Sequence, residues 1–211
     1  MTELYLLRAA QAAAENARKF RASNHWMEEL TATVSAVILA QAVIEGYFHA
    51  FLEACLQPRS RKQEFEGVMT IHPLEEKVKT GLQLATGKAV DKGTQPWQDF
   101  HLLREIRNAL VHYRPIWESS ESEPVHVLKS VQTTRRFALR DERSRWEEKL
   151  LTADCATWAL QTAVSMVQFF YNFAGLSGYP AGIRDVMSTD THGVTADNNA
   201  GQTNTGYGED Q

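Results

Sequence analysis

Residues 97–115 read Trp-Gln-Asp-Phe-His-Leu-Leu-Arg-Glu-Ile-Arg-Asn-Ala-Leu-Val-His-Tyr-Arg-Pro. At about 100° per residue with Arg104 at zero, Leu102, Leu103, Ile106, Ala109, Leu110 and Tyr113 share one arc, roughly 140° to 260°. That arc must face a core. Arg104, Asn108 and His112 form an i, i+4, i+8 stripe on the opposite side. Arg107 lies on the far margin of the polar side, about 140° from His112. Pro96 opens this helix at its first position and Pro115 ends it. A one-faced helix needs neighbours, and the rest of the chain supplies them as helices.

Upstream, residues 3–21 are alanine-rich, with Leu6, Ala10, Ala13, Ala14 and Ala17 near helical spacing. Ser23 and Asn24 break that helix and cap the next. Residues 25–56 carry a wide apolar stripe and predict one long helix, ended by Pro58 and followed by the basic turn Arg59-Ser60-Arg61-Lys62. Its most apolar window, Val34 to Ile44, is bounded by Glu28, Glu29 and Glu45, which suits a core helix rather than a membrane span. Pro73 opens a third helix, with Glu75 and Glu76 at its positive end and Gly87 as its stop. Downstream, Ser119 to Pro124 is loop-like, and Val125 to Val131 reads as a short strand or extended segment. Thr152 caps a last helix through Phe173, stopped by Gly175 and Gly178. From about residue 185 the chain is rich in Gly, Asn, Thr and Asp and cannot bury enough to order itself. The expectation is therefore all-α: a bundle of about five helices over residues 1–180, an irregular insertion before the last helix, and a disordered tail at 181–211.

Bulk properties narrow the function. The 211 residues suit one domain, or one domain and a tail. A net charge of −4 argues against a general nucleic-acid binder, so any RNA contact needs a local basic patch. Cys55 and Cys155 form no CxxC pair, and the first residues lack a basic region followed by an apolar run. A reduced, cytoplasmic protein without a membrane segment is expected.

The motif helix carries chemistry suited to RNA. A histidine near neutral pKa can take the proton of a 2′-hydroxyl or protonate a leaving oxygen. An arginine can grip the phosphate and stabilise its developing charge, and an asparagine can orient either group. DNA lacks the 2′-hydroxyl, so this chemistry is RNA-specific. Arg107 and His112 flank the polar side and point apart, so two copies packed antiparallel about a twofold axis would close one cleft with residues of both chains. Without that chemistry, His112 reads as a surface or interface histidine.

Arg107-Asn-Ala-Leu-Val-His112 resembles the Arg-x4–6-His signature of the HEPN domain family. The order of elements over roughly residues 25–174 is similar as well, and Ala42-Val43-Ile44-Glu45-Gly46-Tyr47-Phe48 looks like the family's first core helix. The resemblance implies an α-helical, dimeric, metal-independent endoribonuclease with Arg107, Asn108 and His112 as the catalytic set. It also implies a toxin–antitoxin or defence setting, with an antitoxin or regulatory protein as partner. One feature departs from the toxins of that family that pair with a nucleotidyltransferase antitoxin. Those usually carry a tyrosine two residues after the histidine, whereas here Tyr113 follows at once and Arg114 takes the second place. The alternative is a non-catalytic HEPN-like bundle that binds RNA or a protein.

For RNA backbone contact the candidates are Arg104 and Arg114 on the motif helix and Arg135, Arg136 and Arg140 in the basic cluster 135–145. That cluster also reads as a solvated mixed-charge face, given Asp141, Glu142, Glu147 and Glu148. His101 with Glu105, and Glu45 with His49, stand at i, i+4, but no third and fourth ligand accompanies either pair, so no metal site is expected. No phosphate-cradling glycine loop occurs, and no cofactor is expected.

Overall fold

The computed structural model describes residues 2–56, 61–111, 125–140, 145–178, 180 and 183. Among them are eight helices and no strand: α1 (Thr2–Ala22), α2 (Trp26–Leu56), α3 (Lys62–Met69), α4 (Leu74–Thr86), α5 (Gln95–Val111), α6 (Val125–Thr134), α7 (Trp146–Leu150) and α8 (Ala153–Phe173). The all-α expectation holds. The expected tail lies almost wholly outside the described residues.

α1 and α2 form an antiparallel hairpin. Asn24 takes a left-handed φ of 58°, and His25 N–H donates to Phe20 O at 2.8 Å. Asn24 therefore ends α1, because a short polar side chain tolerates that backbone region. At the other end of the hairpin, a Cβ on Gly46 would stand 3.4 Å from Glu3 Cγ and 3.7 Å from Leu6 Cδ1. The alanines of α1 (Ala10, Ala14, Ala17) are fully buried there, which lets the two helices approach closely.

α8 closes the core against α1, α2 and α5. Phe170 sits edge-on to Phe48 with ring centroids 5.4 Å apart, the favoured geometry for aromatic pairs. α2 is long and apolar enough to span a bilayer by length and composition. Its buried side, from Ala36 through Val43, Phe48 and Phe51 to Leu52, is the backbone of this core. α4 crosses α2 at Gly81, where a Cβ would meet Phe48 Cζ at 2.6 Å and Leu52 at 3.0 Å.

The start of α8 is fixed by a polar lock. Thr152 Oγ1 accepts from Cys155 N–H at 3.3 Å, the expected N-cap, and donates to Ala138 O at 3.1 Å. Glu29 of α2, 1% exposed, accepts from Ala153 N–H at 2.8 Å and is ion-paired with Arg140. A carboxylate at a helix N-terminus is favoured by the helix dipole and by the unpaired amides of the first turn.

The segment between the motif helix and the last helix is corrected. Residues expected to be extended, Val125 to Val131, lie within helix α6, with Val127 and Val131 buried one turn apart. β-branched residues suggest a strand, but burial of this i, i+4 pair against the core decides otherwise. α3 begins where a basic turn was expected, and α7 was not anticipated. The bundle thus has eight helices among its described residues rather than about five.

Candidate functional site

The motif helix presents the face that its periodicity predicts. Leu102, Leu103 and Ile106 are buried, and Ala109 and Leu110 pack partly against the core. Trp97 and Phe100 anchor the first turns, their rings edge-on with centroids 5.8 Å apart. Tyr113 lies outside the described residues.

Arg107 and Asn108 stand half-buried in the penultimate turn of α5. Arg107 Nη1 donates to Asn108 Oδ1 at 3.1 Å. Among the described residues Arg107 meets no carboxylate. The third member of the predicted set, His112, lies outside the described residues, as does Arg114.

Arg104 has a different surrounding. Its Nη1 lies 2.5 Å from Glu75 Oε2 and its Nη2 lies 2.9 Å from Glu105 Oε1, and the side chain is 16% exposed. The other arginines assigned to RNA contact divide in the same way. Arg136 Nε pairs with Asp99 Oδ1 at 2.8 Å, and Arg136 also donates to Gln95. Arg140 pairs with buried Glu29. Arg135 is exposed, with a left-handed φ of 49° at the end of α6, where its N–H donates to Val131 O. Three of the five arginines are thus engaged within the fold: Arg104 links α5 to α4, and Arg136 and Arg140 tie the segment after α6 to α5 and α2.

Glu75 is the hub of a charged cluster on the N-terminal half of the same polar face. It accepts from Lys92 at 3.1 Å and lies 3.2 Å from His101 Nδ1, besides its pair with Arg104. Burial raises the Glu75 carboxyl, but the hydrogen bonds from His101 and Lys92 and the charge of Arg104 outweigh it and hold the group below the usual carboxylate range. Lys92 is raised by its hydrogen bonds to Glu75 and Glu76. For Asp99 burial wins over the nearby Arg136 charge, and its carboxyl is raised.

Of the i, i+4 pairs noted in the sequence, His101 and Glu105 turn to other partners, while Glu45 and His49 face each other. His101 turns to Glu75 on α4, while Glu105 meets His126 Nε2 on α6 at 3.2 Å. Glu45 faces His49 at 3.8 Å and the buried Lys77 Nζ at 3.5 Å. Burial pushes the His49 imidazole down. Among the described residues no group of three or more His, Cys, Asp or Glu is placed to hold a metal ion. Cys155 is buried and its thiol is driven far up, which makes it a poor nucleophile.

The Glu75–Lys92–His101 cluster was not anticipated. Its members are spread over 27 positions on two helices and a loop, and helical periodicity relates only residues of one element. The visible signal was the acid pair Glu75-Glu76 after Pro73, which read as dipole complementation alone. No family model, curated protein or solved structure matches the chain.

Proposed function

We propose that this protein is a metal-independent endoribonuclease of HEPN type, acting as a homodimer. The observation that supports it most is the contrast on α5. Arg104 is neutralised by two carboxylates, while Arg107, one turn on, is held only by Asn108 among the described residues. An arginine that meets no carboxylate among the described residues, held by an amide and five positions before a histidine in the sequence, suits a phosphate grip that works with a proton carrier of the same motif.

In this reading the His112 imidazole takes the proton of the 2′-hydroxyl. The resulting oxygen attacks the phosphorus, the bond to the 5′-oxygen breaks, and that oxygen leaves with a proton returned from the imidazolium. The products are a 2′,3′-cyclic phosphate end and a 5′-hydroxyl end. Arg107 holds the non-bridging oxygens as charge builds on them. Asn108 orients Arg107. A twofold dimer brings the Arg107 of one protomer toward the His112 of the other. A cytoplasmic toxin or defence role with a protein regulator belongs to the same reading.

The test is cleavage of a mixed RNA pool by purified protein in EDTA, with His112→Ala alongside and mass measured in solution. Cleavage by the parent dimer and not by the variant supports the enzyme. Equal cleavage by both removes His112 from the mechanism. The second reading, a bundle that binds without cutting, draws on Arg104, Arg136 and Arg140, whose charges are engaged within the fold. It predicts RNA or protein binding with no cleavage by the folded dimer.

A further inference from the structure

The outer side of the α1–α2 hairpin carries an uncharged face. α1 turns Leu7, Ala10, Ala14 and Ala17 inward and packs on α2 and α8. With Asn16 at zero and about 100° per residue, Tyr5, Ala9, Ala12, Ala13 and Phe20 lie within roughly 60° of it, on the side away from that core. Tyr5 is 72% exposed, more than any other large hydrophobic residue among those described. Beside the C-terminal half of α1, a groove of about 470 Å³ separates it from the start of α2. Asn16, Phe20, Met27, Glu28 and Thr31 are among the residues that line it, and Glu28 is the one charged side chain there.

The charges that border this face complement each other across a twofold axis. Arg8 and Glu15 stand on one flank, about 80° and 100° from Asn16. Glu15 accepts a hydrogen bond from Gln11 at 3.2 Å, and neither Arg8 nor Glu15 meets an opposite charge among the described residues. Seven residues, roughly 10 Å of helix rise, hold the two apart within α1. In an antiparallel pair of helices the like flanks face each other. With a twofold axis between positions 11 and 12, Arg8 of each copy meets Glu15 of the other. The same register sets Tyr5 of one copy level with position 18 of the other, between Asn16 and Phe20 of the groove. Ala9 and Ala12 lie between these contacts and let the two backbones approach.

We propose that this face is an interface between two copies of the chain, with Tyr5 of each seated in the α1–α2 groove of the other. The ring lies against Phe20 and Met27, and the phenol O–H donates to the Glu28 carboxylate. A tyrosine suits such a socket because its body is apolar and its tip is polar. One register thus satisfies plug, socket and two reciprocal ion pairs, which is the self-complementarity that a twofold contact requires. The interface uses no residue of α5 and does not depend on RNA cleavage. A chain that also pairs through its motif helix assembles beyond a dimer.

The test is sedimentation of the full chain over a range of concentrations, with the RNA assay run in parallel. Arg8→Glu places two like-charge pairs across the axis and is expected to weaken assembly at least about tenfold. Combining it with Glu15→Arg is expected to restore assembly, since the pairs return with their signs exchanged. Tyr5→Ser, which removes the anchor, is expected to weaken assembly at least about tenfold as well. Arg8 and Tyr5 are exposed, so the circular dichroism of these variants is expected to match the parent. Ala12→Cys, beside the axis, locates the contact: mild oxidation is expected to cross-link it into dimers far more than Glu53→Cys on the exposed side of α2. A monomeric parent, an Arg8→Glu protein that assembles like the parent, or equal cross-linking at positions 12 and 53 overturns the proposal. Assembly that responds to Arg8→Glu in a protein that cuts no RNA keeps this interface and removes the enzyme; cleavage by a dimer indifferent to Arg8→Glu does the reverse.

Discussion

Glu29 is buried in the interior, with one oxygen on the Ala153 amide and the other on Arg140. Removing one member of such a pair leaves the other charge buried and uncompensated. Arg140→Met is therefore expected to lower stability by about 3 kcal/mol or more, read from urea denaturation midpoints. A loss below about 1 kcal/mol would mean that water reaches Glu29 and replaces the arginine. Glu75 makes a pH prediction. Its folded-state pKa lies below the ordinary 4.5, so its contribution is present above that value and is lost as pH falls through the folded-state pKa. Glu75→Gln is expected to narrow the difference in denaturation midpoint between pH 7 and pH 3. An unchanged difference would place the acid sensitivity on other carboxylates. Neither residue's partners were legible in the sequence. Glu29 read as a boundary of an apolar window because a carboxylate's burial depends on Arg140, 111 positions away. The Arg107–Asn108 contact, between adjacent residues of one helix, needed no such information.

Elements were legible where one face was continuous and where chain breakers flanked it. α4 is flanked by Pro73 and Gly87, and Gly87 takes φ 72° with its N–H on Gln83 O at 2.7 Å. Gly87→Ala forces a side chain into the left-handed region and is expected to cost about 1 kcal/mol. A thermal midpoint that does not fall would show that the end of α4 frays without penalty. Gly81 tests packing rather than backbone freedom. Alanine normally favours a helix, yet at 2.6 Å from Phe48 Cζ the added methyl has to displace a fully buried ring. Gly81→Ala is expected to destabilise by roughly 1–2 kcal/mol despite the better propensity. α6 was misread because Val125, Val127 and Val131 satisfy a strand's composition. α3 and α7, at 8 and 5 residues, are too short for periodicity to separate them from turns.

At the scale of the molecule, the α-helical class followed from the apolar spacing of the long helices. The order in which those helices pack did not. α2 is the central element because it meets α1, α4, α5 and α8, a role its sequence suggests only through the width of its apolar stripe. Under the proposed function, a His112→Ala protein that keeps its fold but loses cleavage in EDTA is expected, since the helical periodicity of the sequence assigns that position to the polar side. Cleavage retained by that variant would remove His112 from the mechanism, whereas no cleavage by the folded parent would favour the binding reading.

The lock at the start of α8 reaches further than its local bonds suggest. Thr33 and Glu29 on the second helix hold Thr152 and Ala153, residues 119 and 124 positions later in the chain. The fold is thus clasped between its first and last thirds by noncovalent contacts, in addition to the peptide linkage between α5 and α6. A chain expressed as two fragments, 1–111 and 125–180, is expected to reassemble by complementation and elute as one species. If the fragments elute apart, covalent continuity is what makes the clasp effective.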